Sequence, residues 1–242
     1  MTKIFLVRHG QAGTRDSYDS LSPLGRRQSR LLAEHFLSEE VEFAAVYSGT
    51  QSRQTETAAE IRAAYNEAHR SIPDIAAEEG WNEFDLEHVY REIAPLLCAE
   101  DPEFQRQYEA MREAMQAAAG AHDAEVHRRW TSCDVDVVKA WVRARYRYSG
   151  ESWEQFRKRV AGCRFEAYQP HENVNVLVIT SATPTAVWTA SALDIFDERI
   201  MNLAGVLYNA SYTVLRQRGP DLRLLMFNVI AHLASPELRT HR

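Results

Sequence analysis

Cysteine is scarce in this chain. There are three in 242 residues, Cys98, Cys133 and Cys163, odd in number, far apart and without a C-x-x-C pair. That excludes a dense disulfide framework and fits a reduced, cytoplasmic setting. An excess of basic charge is missing too: 28 Lys and Arg stand against 34 Asp and Glu, a formal net charge of −6. Nucleic acids and anionic membranes are bound through basic faces, so neither is an expected partner. An anionic small ligand would need a local cluster of arginines. No run approaches the roughly 20 apolar residues of a membrane span. The apolar stretch in MTKIFLVRHG is too short for a signal peptide. Internal repeats and low-complexity segments are absent, and no His pair has metal-ligand spacing, so no metal or other cofactor is expected.

The remaining composition, 45% apolar and 26% charged, is that of a globular protein long enough for one large domain or two small ones. Lys3–His9 reads as a buried strand, because its apolar residues run together rather than alternate. Ser22-Pro23 reads as a helix start, a capping serine before a proline at the first helical position, with Leu24, Leu31, Leu32, Phe36 and Leu37 on its apolar face. Phe43–Tyr47 follows as a strand and Ser52–Tyr65 as a helix. VNVLVIT, within Asn173–Thr180, is the strongest parallel-strand signal, and a helix is expected from about Pro184 to Leu193. Tyr208–Arg216 and Leu222–Val229 pair around Gly219-Pro220 as an edge hairpin, an edge that leaves pairing with a second copy, a homodimer, open. The alternation predicts an α/β fold: a three-layer sandwich with a mostly parallel central sheet and helices on both faces. About 86–169 is charged, aromatic and helical in pattern, and reads as a helical cap insertion in a single domain spanning 1–242.

In an open parallel sheet, ligands bind beyond the carboxyl ends of the strands. Three such ends converge: Arg8-His9-Gly10, the segment Tyr47–Arg53, and Thr180-Ser181-Ala182-Thr183. A strand ending at the surface is the plain reading of Arg8-His9. A site for an anion is the sharper one, since a guanidinium donates two bonds to a phosphate at once and Gly10 lets backbone approach a ligand closely.

Four further stretches, in order, sharpen it. KIFLVRHGQ resembles the R-H-G signature of the histidine phosphatase superfamily, the phosphoglycerate-mutase-like fold. LSPLGRRQSRLLAEHF is similar to its L-[ST]-x-x-G-x-x-Q-A helix, VYSGTQSRQTETA to its V-Y-S-S-x-x-x-R-x-x-x-T-A block, GWNEFDLE to its L-x-E-x-D-x-G segment, and GESWEQFRKRV to its G-E-S helix. The resemblance covers both ends of the chain and leaves about Glu87 to Tyr148 unmatched. It implies a phosphomonoesterase acting on a small phosphorylated substrate. His9 would take the phosphoryl group. Arg8 and Arg53 would neutralise its oxygens. Glu83, favoured by register over Asp85 and Glu79, would protonate the leaving oxygen and activate water. Gln11 and Gly10 would contact phosphate or substrate.

One departure stands out. The family's last core strand ends S-H-G-G, and register puts Ser181 where that second histidine belongs. Losing a charge-assisted donor costs roughly 1.5–3 kcal/mol, on the order of 10- to 200-fold in rate. The backbone N–H groups of Ala182 and Thr183 would offset part of it. Two alternatives follow: a weakly active or inactive phosphate-binding regulatory homologue, and a phosphoglycerate mutase. Against the mutase, Gln11-Ala12-Gly13-Thr14 replaces the E-S-x-W-N that follows R-H-G in cofactor-dependent mutases.

The remaining polar residues have plainer readings. His35 is expected at a boundary and His69, His122, His171 and His241 in solvent; His88 is a candidate pocket residue, outweighed by a plain surface role. His232 is expected as a buried, hydrogen-bonded histidine. His127-Arg128-Arg129-Trp130 reads as a solvated helix end. Arg143, Arg145 and Arg147 lie on a helix face or a strand.

Overall fold

Ile4, Phe5, Leu6 and Val7 are all buried, because their strand has a partner on each side. The computed structural model describes residues 1–13, 19–118, 130–165 and 173–241. In it, β1 (Thr2–Arg8) pairs in parallel with β4 (Val174–Thr180) and antiparallel with β5 (Tyr212–Arg218). With β2 (Ala45–Ser48), β3 (Ile75–Ala77) and β6 (Asp221–Val229) they form one sheet of order β3-β2-β4-β1-β5-β6. The first four are mutually parallel; β5 and β6 form the antiparallel hairpin, turned at Gly219 with φ 59°.

Alternation across the pleat sorts the core. Phe5, Val7, Leu177 and Ile179 pack with Leu32 and Phe36 of α1 (Pro23–Ser38) and Ile61 of α2 (Ser52–Glu67). Phe5, Phe36, Phe43 and Tyr212 meet there at centroid distances of 5.2 to 6.1 Å. The opposite face lies against α7 (Ala182–Leu193), which packs on β1, β5 and β6 and on α8 (Asp197–Val206). The expected α/β fold, a mostly parallel sheet with helices on both faces, is the observed one. Ser22 caps α1 by accepting from Gly25 N at 3.0 Å. Three elements differ from expectation. β3 and α8 were not anticipated: β3 is three partly exposed residues, and α8 carries no clear apolar stripe. α7 starts two residues before Pro184, because Ser181 is its N-cap and the proline sits in the first turn, where its missing N–H goes unused.

The chain divides into two compact units, Met1–Glu83 with Val160–His241, and Phe84–Arg159. The second is helical: α3 (Leu86–Glu100), α4 (Pro102–Ala117), α5 (Ser132–Val142) and the start of α6 (Trp153–Gly162). Asp85 caps α3 through His88 N, and Asp101 caps α4. Phe84 stacks on Trp141 at 4.6 Å, with Trp153 and Phe156 beside them. The stretch bearing Arg143, Arg145 and Arg147 is neither helix face nor strand. α5 ends at Val142, Arg143 is its C-cap, and Arg145 pairs with Glu100 at 2.6 Å in the turn that follows. Gly120, His122, His127, Arg128 and Arg129 lie outside the described residues, as do Thr14 and His171; Trp130 is exposed.

Candidate active site

Sheet register brings the three strand ends together. Arg8 is the partner of Thr180 and Ser48 the partner of Ile179, so β1, β4 and β2 release His9, Ser181 and Gly49 side by side. His9 N donates to Thr180 O at 2.9 Å and Gly49 N to Ile179 O at 3.0 Å.

His9 is buried, with Nδ1 2.7 Å from Gly10 O. A carbonyl only accepts, so Nδ1 carries the proton and Nε2 keeps its lone pair. Burial first, then the charge of Arg53, then that of Arg8, hold this imidazole well below its ordinary value of 6.5, against a smaller upward pull from the Gly10 carbonyl. The ring is therefore neutral at physiological pH. Both arginines are buried. Arg8 Nη1 donates to Leu207 O. Arg53 donates to Asp19 Oδ1 at 3.1 Å and to Gln51 Oε1 at 2.6 Å, while Ser52 Oγ donates to the other oxygen of Asp19 at 2.7 Å.

Gln51 also fixes Glu83. Its Oε1 accepts from Glu83 N at 3.2 Å and its Nε2 donates to Glu83 O at 3.3 Å. The Glu83 carboxylate accepts from Thr183 N at 3.0 Å, at the N-terminus of α7, where the helix dipole favours an anion. Of its rivals, Glu79 is exposed and Asp85 is engaged as a helix cap. Ser181 is 1% exposed and accepts from Gln54 Nε2. Ala182 opens α7 beside it.

Gly10 and Gln11 serve the frame. Gly10 N donates to Thr57 Oγ1 at 3.0 Å, and a Cβ at Gly10 would lie 2.4 Å from Gly25 O. Its missing side chain admits the backbone of α1. Gln11 N donates to Gln28 Oε1 and its Oε1 accepts from Ser22, so its carbonyl oxygen is committed to the α1 cap.

The other histidines separate cleanly. His69 is exposed. His88 contacts Glu92 at 2.8 Å and the Tyr148 ring within the helical unit. His35 Nε2 lies 3.1 Å from Tyr212 Oη, at the boundary. His241 is exposed, yet its ring lies 4.0 Å from Tyr208, and partial burial and then the Arg8 charge lower its pKa. His232 corrects the expectation of a buried, hydrogen-bonded histidine. It is half-buried and stacked on His35 at 5.8 Å; its ring feels the Ala210 backbone, but neither nitrogen makes a well-formed hydrogen bond among the described residues. Ring stacking holds it instead. Among the described residues no group of three or more His, Cys, Asp or Glu is placed to hold a metal ion, and no helix is long and apolar enough to cross a membrane.

Sequence reasoning missed Asp19, Gln51, Gln54 and Asn209. Gln51, the N-cap of α2, and Gln54, in its first turn, flank Arg53, positions that signal a site only once the arginine is recognised. Asn209 lies in a stretch expected to be strand but folded as a turn, where Arg8 N bonds Ser211 O at 3.0 Å and Ala210 N bonds His9 O at 3.1 Å.

The sequence model of the histidine phosphatase superfamily (branch 1) matches residues 4–141 and 134–230. The chain belongs to that superfamily. It is 29% identical over 121 residues to the mitochondrial serine/threonine-protein phosphatase Pgam5 of Caenorhabditis elegans, an alignment that takes in 46% of this chain and 42% of that protein. The chain thus spans less than half the length of the curated relative it matches. Bacillus stearothermophilus YhfR has the same fold: TM-score 0.64 at 20% identity, over 96% of this chain and 99% of that one. So has a mutant phosphoserine phosphatase from Entamoeba histolytica with bound phosphoserine, with TM-score 0.56 at 17% identity, over 96% and 100% of the two chains.

Proposed function

We propose that this histidine phosphatase family member is a cytoplasmic phosphomonoesterase, needing no metal, that hydrolyses a small phosphorylated substrate through a phosphohistidine at His9. The observation that carries this is the His9 ring itself. Its Nδ1 is committed to Gly10 O, and burial, with the charges of two buried guanidinium groups, keeps its Nε2 unprotonated. Nε2 attacks phosphorus and the ester P–O bond breaks. The leaving oxygen takes a proton from Glu83 as the arginines spread the phosphoryl charge. Water then attacks the phosphoryl group and gives its proton to Glu83. The P–N bond breaks, releasing inorganic phosphate and neutral imidazole. The relatives' names, a serine/threonine-protein phosphatase and a phosphoserine phosphatase, agree with this reaction class. The helical segment is proposed as the insertion that selects the leaving group.

The test is turnover of para-nitrophenyl phosphate and a panel of metabolite phosphates, with His9→Ala as control and acid-labile phosphoprotein trapped by rapid quench. Turnover and trapped phosphate should both vanish in the variant, a loss on the order of 10³-fold or more. Turnover that survives His9→Ala would overturn the reading. Ser181 favours a second one: a regulatory homologue that binds phosphate and hydrolyses little. Phosphate binding without turnover in the unaltered chain would select it. Transfer of phosphate between positions of phosphoglycerate would select the mutase.

A further inference from the structure

Ser181 and Gln54 are both buried, 1% and 0% exposed, and they meet: Gln54 Nε2 donates to Ser181 Oγ at 2.9 Å. The amide cannot be turned round. Its Oε1 accepts from Gln51 N at 3.3 Å, and its Nε2 donates a second time, to Trp81 O at 3.1 Å. Reversal would set N–H against N–H at one end and carbonyl against carbonyl at the other. Ser181 Oγ is therefore an acceptor toward Gln54, and its own hydrogen must point elsewhere. Among the described residues no acceptor takes it, and the side chain makes no capping bond to α7 although Ser181 is its N-cap. A buried hydroxyl hydrogen without a partner is uncommon in a folded protein and marks a place where something else supplies the acceptor. That place is next to His9, since Arg8 and Thr180 are register partners.

We propose that Gln54 is a positioning residue for phosphoryl transfer. By filling the acceptor side of Ser181, it turns the serine hydroxyl into a fixed donor to a phosphoryl oxygen. The inference rests on the reading of His9 above and deepens it. The Gln54–Ser181 pair stands where the resemblance puts an imidazole, supplying one neutral, oriented donor. Gln54 also spans the three segments that build the site. It sits in the first turn of α2 beside Arg53, holds the Trp81 carbonyl two residues before Glu83, and reaches the N-cap of α7. A phosphate oxygen, an acceptor only, suits what is offered; a ligand group that is itself a donor does not.

A double-mutant cycle tests this. Wild type, Ser181→Ala, Gln54→Met and the double variant are compared for kcat and KM on para-nitrophenyl phosphate, for calorimetric binding of inorganic phosphate, and for thermal midpoint. Each single variant should lower kcat/KM by about tenfold, the scale of one hydrogen bond to a charged group. The double variant should match Ser181→Ala to within about twofold, because Gln54 acts through the serine. Thermal midpoints, in which a directly bonded pair couples whatever its role, serve only to show that each variant is folded. Effects that multiply, to about 100-fold together, would make Gln54 a brace with no tie to the serine and overturn the proposal. If Gln54→Met does not fold, Gln54→Leu, neutral and unable to donate, runs the same cycle with the same two outcomes. Turnover that survives His9→Ala removes the phosphohistidine reading alone; the cycle is then read in phosphate affinity, where non-additivity supports the pair and additivity overturns it. Wild type that neither turns over nor binds phosphate overturns both.

Discussion

β1 and β4 lie side by side in the sheet and end at the same level, yet they deliver opposite chemistry. β1 ends in Arg8 and His9, two buried groups, one a permanent cation. β4 ends in a neutral serine and the N-terminus of α7, on which the Glu83 carboxylate is seated. The difference lies in how much positive charge an empty buried site can tolerate. Burial, then Arg53 and Arg8, already depress the His9 pKa, so each added cation would raise the electrostatic cost of the unliganded state. The chain concentrates its charge on one strand end and the adjacent α2, and lines the other with hydrogen-bond donors. Anion affinity per donor is lower there, and so is repulsion.

The comparison breaks most sharply at the arginines. Arg53→Ala should lower kcat/KM by roughly 10²–10³-fold, the scale of removing one preorganised charge-stabilising donor. Arg8→Ala should lose as much activity and also stability, since Arg8 holds the Leu207 carbonyl from inside the sheet. Steady-state kinetics with thermal melts separates the two; an Arg53→Ala enzyme of unchanged activity would remove the charged end from the mechanism. The next test gives β4 the charge it lacks. Ser181→His alone should destabilise by about 1–3 kcal/mol through overpacking, since Gln54 already lies 2.9 Å from the serine oxygen. Ser181→His with Gln54→Ala should regain that stability and exceed the single variant in turnover. A stable, more active Ser181→His single variant would show the space to be open.

What could be read from the sequence follows the same divide. Arg8-His9 was legible because a continuous apolar run, forced by burial on both faces, ends abruptly in polar groups. Arg53 followed from its place after a second such strand, and the Ser22-Pro23 cap from purely local chemistry. What was hidden depends on contacts distant in sequence. Gln11 appeared free for a ligand, but its carbonyl oxygen goes to Ser22. Tyr208–Ser211 had strand composition, but became the turn that holds Arg8 and His9 from behind. The β4 end was legible in identity, Ser181, and illegible in environment, because Gln54 lies 127 positions away and meets it only after the sheet has formed.

Asp19 bears on the charged end more gently. It accepts from Arg53 and Ser52 where an incoming anion would be expected, but its side chain is 60% exposed. With one partner in solvent, the pair is worth no more than about 1 kcal/mol, so Asp19→Asn should tighten phosphate binding by at most roughly 5-fold. Titration calorimetry reads it, and weaker binding would mean that Asp19 orients Arg53 instead of competing for it.

The smallest effect concerns acid stability, and it comes from imidazoles on both sides of β5. Burial, then the His35 charge, push His232 down to about 4, against a smaller upward pull from the Ala210 backbone. His9 is lowered as well. A histidine whose folded pKa lies below its unfolded value binds fewer protons folded than unfolded. Its neutral form thus contributes nothing to pH dependence above about 6.5. As pH falls from there toward 4, the unfolded chain gains protons first and stability drops. The melting temperature should therefore fall between pH 7.5 and 5, and His232→Gln should recover about 2–4 °C of that fall. The variant is compared with wild type at each pH, so its own packing loss cancels. A pH dependence identical in the two proteins would remove His232 from the acid sensitivity and leave it to the other shifted groups, His9 and His241 among them.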